Sequence, residues 1–403
     1  MITAAPPVRH WLLYLLLALS AACSRQDLTP PALRSVTPIP ANPGISDKGR
    51  ELLRRLSENY GKATLAGQME YREKGAYVAL DYIEKVSERL PVIVGLDLMD
   101  YSPSRIAHGA DPGNLIADAL DLAARGHVLT LTWHWNAPMH LVNDHREPWS
   151  RGFYTSATEF NLRYALANRK SPEFQALLRD LDAIGTQLKV LADADVPVLW
   201  RPLHAADGRW FWWGAKGPEP FKELWRLMFV RFTDEHQLNN LLWVYTGEDP
   251  DWYPGDDLVD IVGVDAYPDD RNSTLLEYWS PLLRKHNGRK MIALTEFGGI
   301  PNVEGMQAAG VGFSYFVTWT DQNRAKLGPK GAPPELLREV YQSPAVITWD
   351  EWHGKPIPLW HESGNEQASG APESGAEGEA PAGDSQEDSG ASPEPETGTQ
   401  QDP

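Results

Sequence analysis

Eight short apolar runs recur along the chain, at 63–68, 91–98, 127–135, 196–204, 240–247, 259–267, 291–298 and 311–319. Stretches with apolar residues at helical spacing separate most of them, at 79–90, 114–125, 173–192, 221–236 and 275–285, and one more follows the last run at 334–341. Each apolar run is nearly continuous rather than alternating, as expected of a strand covered on both faces. Strands alternating with helices imply a parallel sheet. Eight repeats of that unit over about 300 residues imply a single α/β domain of (β/α)8 barrel type. The fifth and seventh connections are only weakly helical. Ahead of the first strand, Ser46 is placed to cap a helix whose apolar positions are Leu52, Leu53 and Leu56.

The active face of such a barrel lies at the C-terminal ends of its strands. Here those ends read Gln68, Asp97, His134-Trp135-Asn136, His204-Ala205, Glu248, Asp265 with Tyr267, Glu296 and Trp319. Ends chosen only for solubility would carry fewer aromatic rings, histidines and carboxylates. The connection at 136–170 is long and holds Trp149, Phe153 and Tyr154, so it is expected to wall a cleft. The stretch 196–214 passes from a buried strand into a loop dense in tryptophan. Polar groups beside flat aromatic surfaces suit a sugar ring. Four successive aromatic side chains cannot all face one cleft, so Phe211, Trp212 and Trp213 are expected to pack.

Composition adds limits. The chain has 403 residues, 42% of them hydrophobic, and a net charge of −18, which argues against nucleic acid as a partner. Ten acids and no Lys or Arg lie after residue 362, leaving −8 for the remainder. The segment 361–403 therefore reads as an acidic disordered tail. Cys23 is the single cysteine, so no intrachain disulfide can form. It follows Arg9, His10, an apolar run at 11–19 and Ser20-Ala21-Ala22. That run is too short to span a membrane and reads as an export signal. It also resembles a bacterial lipobox, with Ser20 where the pattern prefers Leu and Cys23 as the acylated residue. Residues 1–23 are thus expected to be a signal, 24–45 a proline-rich tether and 46–360 the (β/α)8 domain. Ser24 follows the cysteine, with no Asp to resemble an inner-membrane retention signal. The expected location is the outer membrane of a Gram-negative cell, or otherwise the medium.

The residues Arg201, Pro202, His204, Gly208, Trp210, Phe211, Trp212, Trp213 and Gly214 resemble the strand-four motif of glycoside hydrolase family 26, whose members are mostly β-mannanases. The resemblance implies a retaining hydrolase of β-1,4-mannosidic linkages, acting on β-mannan, galactomannan or manno-oligosaccharides without metal or organic cofactor. β-1,3-Xylanase and mixed-linkage glucanase are the family's rival activities. It implies that Glu296, at the end of the seventh strand and before two glycines, is the nucleophile. It also implies that Tyr267 hydrogen-bonds that nucleophile, and that His134, Trp135, His204, Trp210, Asp265 and Trp319 bind substrate. Where the family places its acid/base Glu, this chain has Ala205. Asp207, two residues on, is shorter and displaced, and matches a supporting position. The simplest account is a Glu-to-Ala change that traps substrate; the other is a natural carbohydrate-binding pseudoenzyme. A zinc site built from His134 and His140 lacks a third ligand at any known spacing. A monomer, with the membrane reached only through the amino-terminal lipid, completes the expectation.

Overall fold

The computed structural model describes residues 31–354 apart from Lys74, Arg271 and residues 321–327. Cys23 and the acidic tail lie outside the described residues. Eight parallel strands close into a barrel: β1 (Gly67–Met69), β2 (Ile93–Asp97), β3 (Val128–Thr132), β4 (Val198–Arg201), β5 (Leu241–Thr246), β6 (Ile261–Ala266), β7 (Met291–Phe297) and β8 (Phe316–Thr318). Each pairs with its chain neighbours, and β8 closes the ring onto β1 through Thr318 and Gln68. The strands are buried along almost their whole length, since side chains fill the barrel inside and helices cover it outside.

Helices follow the strands where the sequence places them. The longest, Pro172–Asp193, starts at Ser171, whose hydroxyl accepts the Phe174 N–H. The fifth connection holds only the short 3-10 turn Pro250–Trp252, and the seventh only Val303–Ala308. Ser46 caps Asp47–Asn59 as expected, accepting the Gly49 N–H at 3.2 Å.

Boundaries differ from the sequence reading: the first barrel strand begins at Gly67 rather than at 63, because Thr64 and Leu65 pair instead with Val346 and Ile347. Ladder pairing in the eighth strand begins at Phe316 rather than at 311, because the buried residues before it make only an isolated bridge, Leu65 to Tyr315. The described part of the expected tether is packed rather than free. Val36 and Ile45 are buried, the Arg34 N–H donates to Asn287, and the Ala41 N–H donates to Asp260 at 2.7 Å. Asn287 and Asp260 precede β7 and β6, so this segment lies across the face opposite the strand C-termini.

One irregularity positions the site. Along β6 and β7, Leu294 pairs with Val264 and Glu296 with Asp265, so Thr295 is an extra residue on β7. A bulge of this kind re-aims the residues that follow it. Thr295 fits because position 263 is glycine; a Cβ there would come within 2.3 Å of the threonine methyl. The Thr295 hydroxyl is 3.0 Å from the Val264 carbonyl and 2.9 Å from Asp265 Oδ1, within donating distance of both.

Candidate active site

The C-terminal ends of the strands open into one cleft of about 1090 Å³. His134, His204, Ala205, Trp210, Asp265, Tyr267, Glu296 and Trp319 all line it. Arg105, Arg151, Phe153 and Tyr154 form one wall, three of them from the long 136–170 connection. Asp207, Glu248 and Tyr278 lie on other parts of the rim.

The base of the cleft is an ion network. Arg201 ends β4, is 2% exposed, and divides its guanidinium between two carboxylates. Nη1 donates to both oxygens of Asp265 at 2.9 and 3.0 Å, and Nη2 donates to Glu296 Oε2 at 2.7 Å. The Tyr267 hydroxyl donates to the other oxygen, Glu296 Oε1. Burial, and then the Glu296 charge, hold the Tyr267 phenol well above its ordinary pKa, so it remains a donor. Burial also pushes Asp265 up; Arg201 pulls it back, while the Glu296 charge adds to the rise. Arg201 keeps its charge because the two carboxylates outweigh its desolvation. Glu296 is therefore a carboxylate gripped from both sides, with little freedom to rotate.

Removing one partner of a buried ionic network typically costs about 3–5 kcal/mol. Arg201→Met is expected to lower stability by that order in urea unfolding. Its loss raises the folded-state pKa of Asp265, which Arg201 pulls down. Stability contributed by a raised carboxyl is present below its unfolded pKa and is lost as pH rises through the folded value. The deficit should therefore be smaller near pH 5 than near pH 8. A deficit that does not change with pH would show that Arg201 acts by packing alone.

A second chain of bonds crosses the cleft. His134 Nδ1 donates to Asp97 Oδ2 at 2.5 Å, and Asp97 Oδ1 also accepts the His134 and Met99 N–H groups. His134 Nε2 lies 3.1 Å from His204 Nε2. His204 is 2% exposed; burial, then the positive fields of Arg201 and His134, hold its pKa well below the ordinary value, so it is neutral. His134 Nδ1 is committed to Asp97, so the two rings meet through their Nε2 atoms alone. Thr132 Oγ1, which donates to the Arg201 carbonyl at 3.1 Å, lies 3.3 Å from His204 Nδ1.

The loop carrying Ala205 is tightly wound. Leu203, Ala205 and Arg209 all adopt left-handed backbone, with φ of 51°, 48° and 63°. Such residues cost about 1–3 kcal/mol each and persist only where their surroundings hold them. Trp213 Nε1 donates to the His204 carbonyl at 3.0 Å, and Asp207 Oδ2 accepts the N–H groups of Glu248 and Asp249. Gly208 lets the Trp210 indole lie back over the loop; a Cβ there would come within 1.7 Å of the ring. Trp210 is 39% exposed, a flat apolar face on the rim.

Two expectations need correction. Trp135 does not reach the cleft. It is fully buried, stacked on Trp133 at 4.3 Å, and its Nε1 donates to Asp180 at 2.8 Å. Its carbonyl accepts Trp212 Nε1, so it braces the tryptophan loop from below. Phe211, though buried and stacked on Trp213 at 4.5 Å, also borders the cleft, its ring 5.1 Å from that of His204. Trp212 and Trp213 are packed, as expected. His140 meets Glu173 at 3.4 Å, and among the described residues no three His, Cys, Asp or Glu side chains converge as a metal site.

The sequence reading gave no role to Arg201 or Asp97. A lone arginine closing the apolar run Val-Leu-Trp-Arg was the available signal for the first. The carboxylates that answer it lie 64 and 95 residues away.

Residues 41–351 match the sequence profile of glycosyl hydrolase family 26. A mannan endo-1,4-beta-mannosidase of Thermothelomyces thermophilus is 42% identical over 315 residues, covering 78% of this chain and 63% of the relative. Piromyces mannan endo-1,4-beta-mannosidases A and B are each 27% identical, and the chain spans 51% and 56% of their lengths. Among solved structures, a GH26-CBM35 beta-(1,4)-mannanase of Podospora anserina superimposes with TM-score 0.74 at 38% identity, covering 81% of this chain and 71% of that one. A beta-mannanase from a symbiotic protist of the termite Reticulitermes speratus, complexed with gluco-manno-oligosaccharide, gives TM-score 0.69 at 31% identity, covering 79% and 98%.

Proposed function

Because the chain belongs to glycosyl hydrolase family 26, we propose that it binds β-1,4-mannan, galactomannan and manno-oligosaccharides and cleaves them slowly by a retaining double displacement. Glu296 is the nucleophile and position 205 the site of an absent acid/base. The observation that carries the reading is that Ala205 and Glu296 share one cleft. A retaining mechanism needs carboxyl groups about 5–5.5 Å apart across the scissile bond. Here one of the two positions holds only a methyl group.

Tyr267 and Arg201 each donate a hydrogen bond to Glu296 and so aim it, as a nucleophile requires. His134, His204 and Asp265 supply hydrogen bonds to sugar hydroxyls, and Trp210 and Trp319 supply stacking faces. With no carboxyl at 205 the cleft keeps its means of binding and loses most of its turnover. We also propose that Cys23 carries the lipid that holds the chain, as a monomer, at the outer membrane.

Calorimetric titration with mannopentaose tests the binding. Covering the exposed Trp210 face is worth about 1.5 kcal/mol, or about tenfold in Kd. Trp210→Ala should weaken binding by that order while leaving the fold intact. Equal or tighter binding of xylo- or cello-oligosaccharides would overturn the substrate assignment.

A further inference from the structure

Four carboxylates line the cleft, and three are committed. Asp265 accepts Arg201 and lies beside the Thr295 hydroxyl. Glu296 accepts Arg201 and Tyr267. Asp207 accepts the backbone N–H groups of Glu248 and Asp249 at 2.7 and 2.9 Å. The side chain of the fourth, Glu248, has neither a hydrogen bond nor an ion pair to any of the described residues; only charges and burial act on its carboxyl.

Its place in the fold is fixed. Glu248 follows β5, the strand hydrogen-bonded to β4, and its backbone N–H is tied to Asp207, two residues beyond Ala205. The tips of the two loops are thereby pinned together, and Glu248 opens into the same cleft as Ala205 and Glu296. We propose that Glu248 is the proton donor and acceptor left to this cleft, acting on the glycosidic oxygen from β5 in place of the group missing at 205. This rests on the retaining reading above.

The steps balance. The Glu248 carboxylic acid gives its proton to the glycosidic oxygen as the C1–O bond breaks. A Glu296 oxygen attacks C1, and the leaving sugar departs as an alcohol. The Glu248 carboxylate then takes a proton from water, whose oxygen bonds to C1 as the glycosyl ester breaks and Glu296 is released. Partial burial, then the charges of Asp207 and Glu277, raise the Glu248 pKa, which keeps a proton available for the first step.

A donor one strand out of place sacrifices much of its effect, of the order of 10²-fold for a misplacement of about 1 Å. General acid assistance is worth about 10²–10⁴-fold, so about tenfold is left for Glu248. The test is Glu248→Gln in the otherwise unaltered chain. The kcat on mannopentaose should fall about tenfold and the alkaline limb of its pH profile should disappear. Phenol release from a dinitrophenyl mannoside, which needs no proton, should fall far less. Glu248→Asp should keep the limb at reduced rate. Equal losses on both substrates, or an unmoved kcat and pH limb, would overturn the proposal. Slow mannan cleavage that ignores Glu248 sinks this inference alone, whereas failure of the parent chain to bind mannan sinks the reading beneath it.

Discussion

Ala205→Glu should raise kcat on mannan by about 10²–10⁴-fold, the ordinary worth of a well-placed general acid. The backbone at 205 is already left-handed, so a longer side chain adds little strain to what Ala bears. Ala205 already lines the cleft, so the new side chain starts from its wall. Proton donation acts in the transition state, so KM should move by no more than a few-fold while kcat carries the gain. The alkaline limb of the pH profile should pass from Glu248 to the introduced acid. Ala205→Gln is the control. It matches the size and hydrogen bonding of the new side chain but donates no proton, and should leave mannan nearly inert. A reducing-sugar assay on the three chains decides it. A gain below tenfold with Glu, or an equal gain with Gln, would mean that position 205 is not where the acid belongs.

The barrel could be read from the sequence because its signal is local. Near-continuous apolar runs must be strands buried on both faces, and only eight of them fit the length. The weak fifth and seventh connections were visible for the same reason: few apolar residues recur there at helical spacing, and the structure has little helix in either place. The site was legible as far as strand ends could be named. Most of those ends converge in one cleft; Gln68, Asp97, Trp135 and Asn136 do not line it. Trp135 shows where the method stops. It sits between His134 and Asn136 at a strand end, and nothing in that tripeptide says which side chain turns outward. The choice is made by Asp180, on a helix 45 residues later, which offers the buried indole N–H an acceptor. Phe211 erred in the opposite direction because a loop with left-handed residues at 203, 205 and 209 does not follow simple alternation. Arg201 needed two distant carboxylates to reveal its purpose. Each miss is a tertiary pairing, and no window of the sequence contains both partners.

A burst of phenol followed by slow turnover is expected when this chain meets an activated aryl mannoside. The two steps of the retaining mechanism use the acid/base differently. An activated phenolate leaves without protonation, so attack by Glu296 should proceed at a substantial rate. Hydrolysis of the glycosyl ester needs a base to deprotonate water, and the methyl of Ala205 cannot serve. Whatever Glu248 supplies comes from the neighbouring strand and is weaker. The ester should therefore accumulate, with a burst amplitude close to the enzyme concentration. Azide needs no deprotonation and is small enough to enter beside Ala205, which lines the cleft and is only partly buried. It should raise the steady-state rate by about 10-fold or more, within the range that base catalysis supplies. It attacks the face opposite Glu296, so two inversions give the β-glycosyl azide. Stopped-flow absorbance with and without azide measures the burst, and proton NMR of the product gives its configuration. An α-azide, or a rate that azide does not change, would remove Glu296 from the role of nucleophile and position 205 from that of the missing acid/base. In the Ala205→Glu chain the burst should shrink and azide should lose its effect, because the introduced carboxyl both activates water and repels the anion.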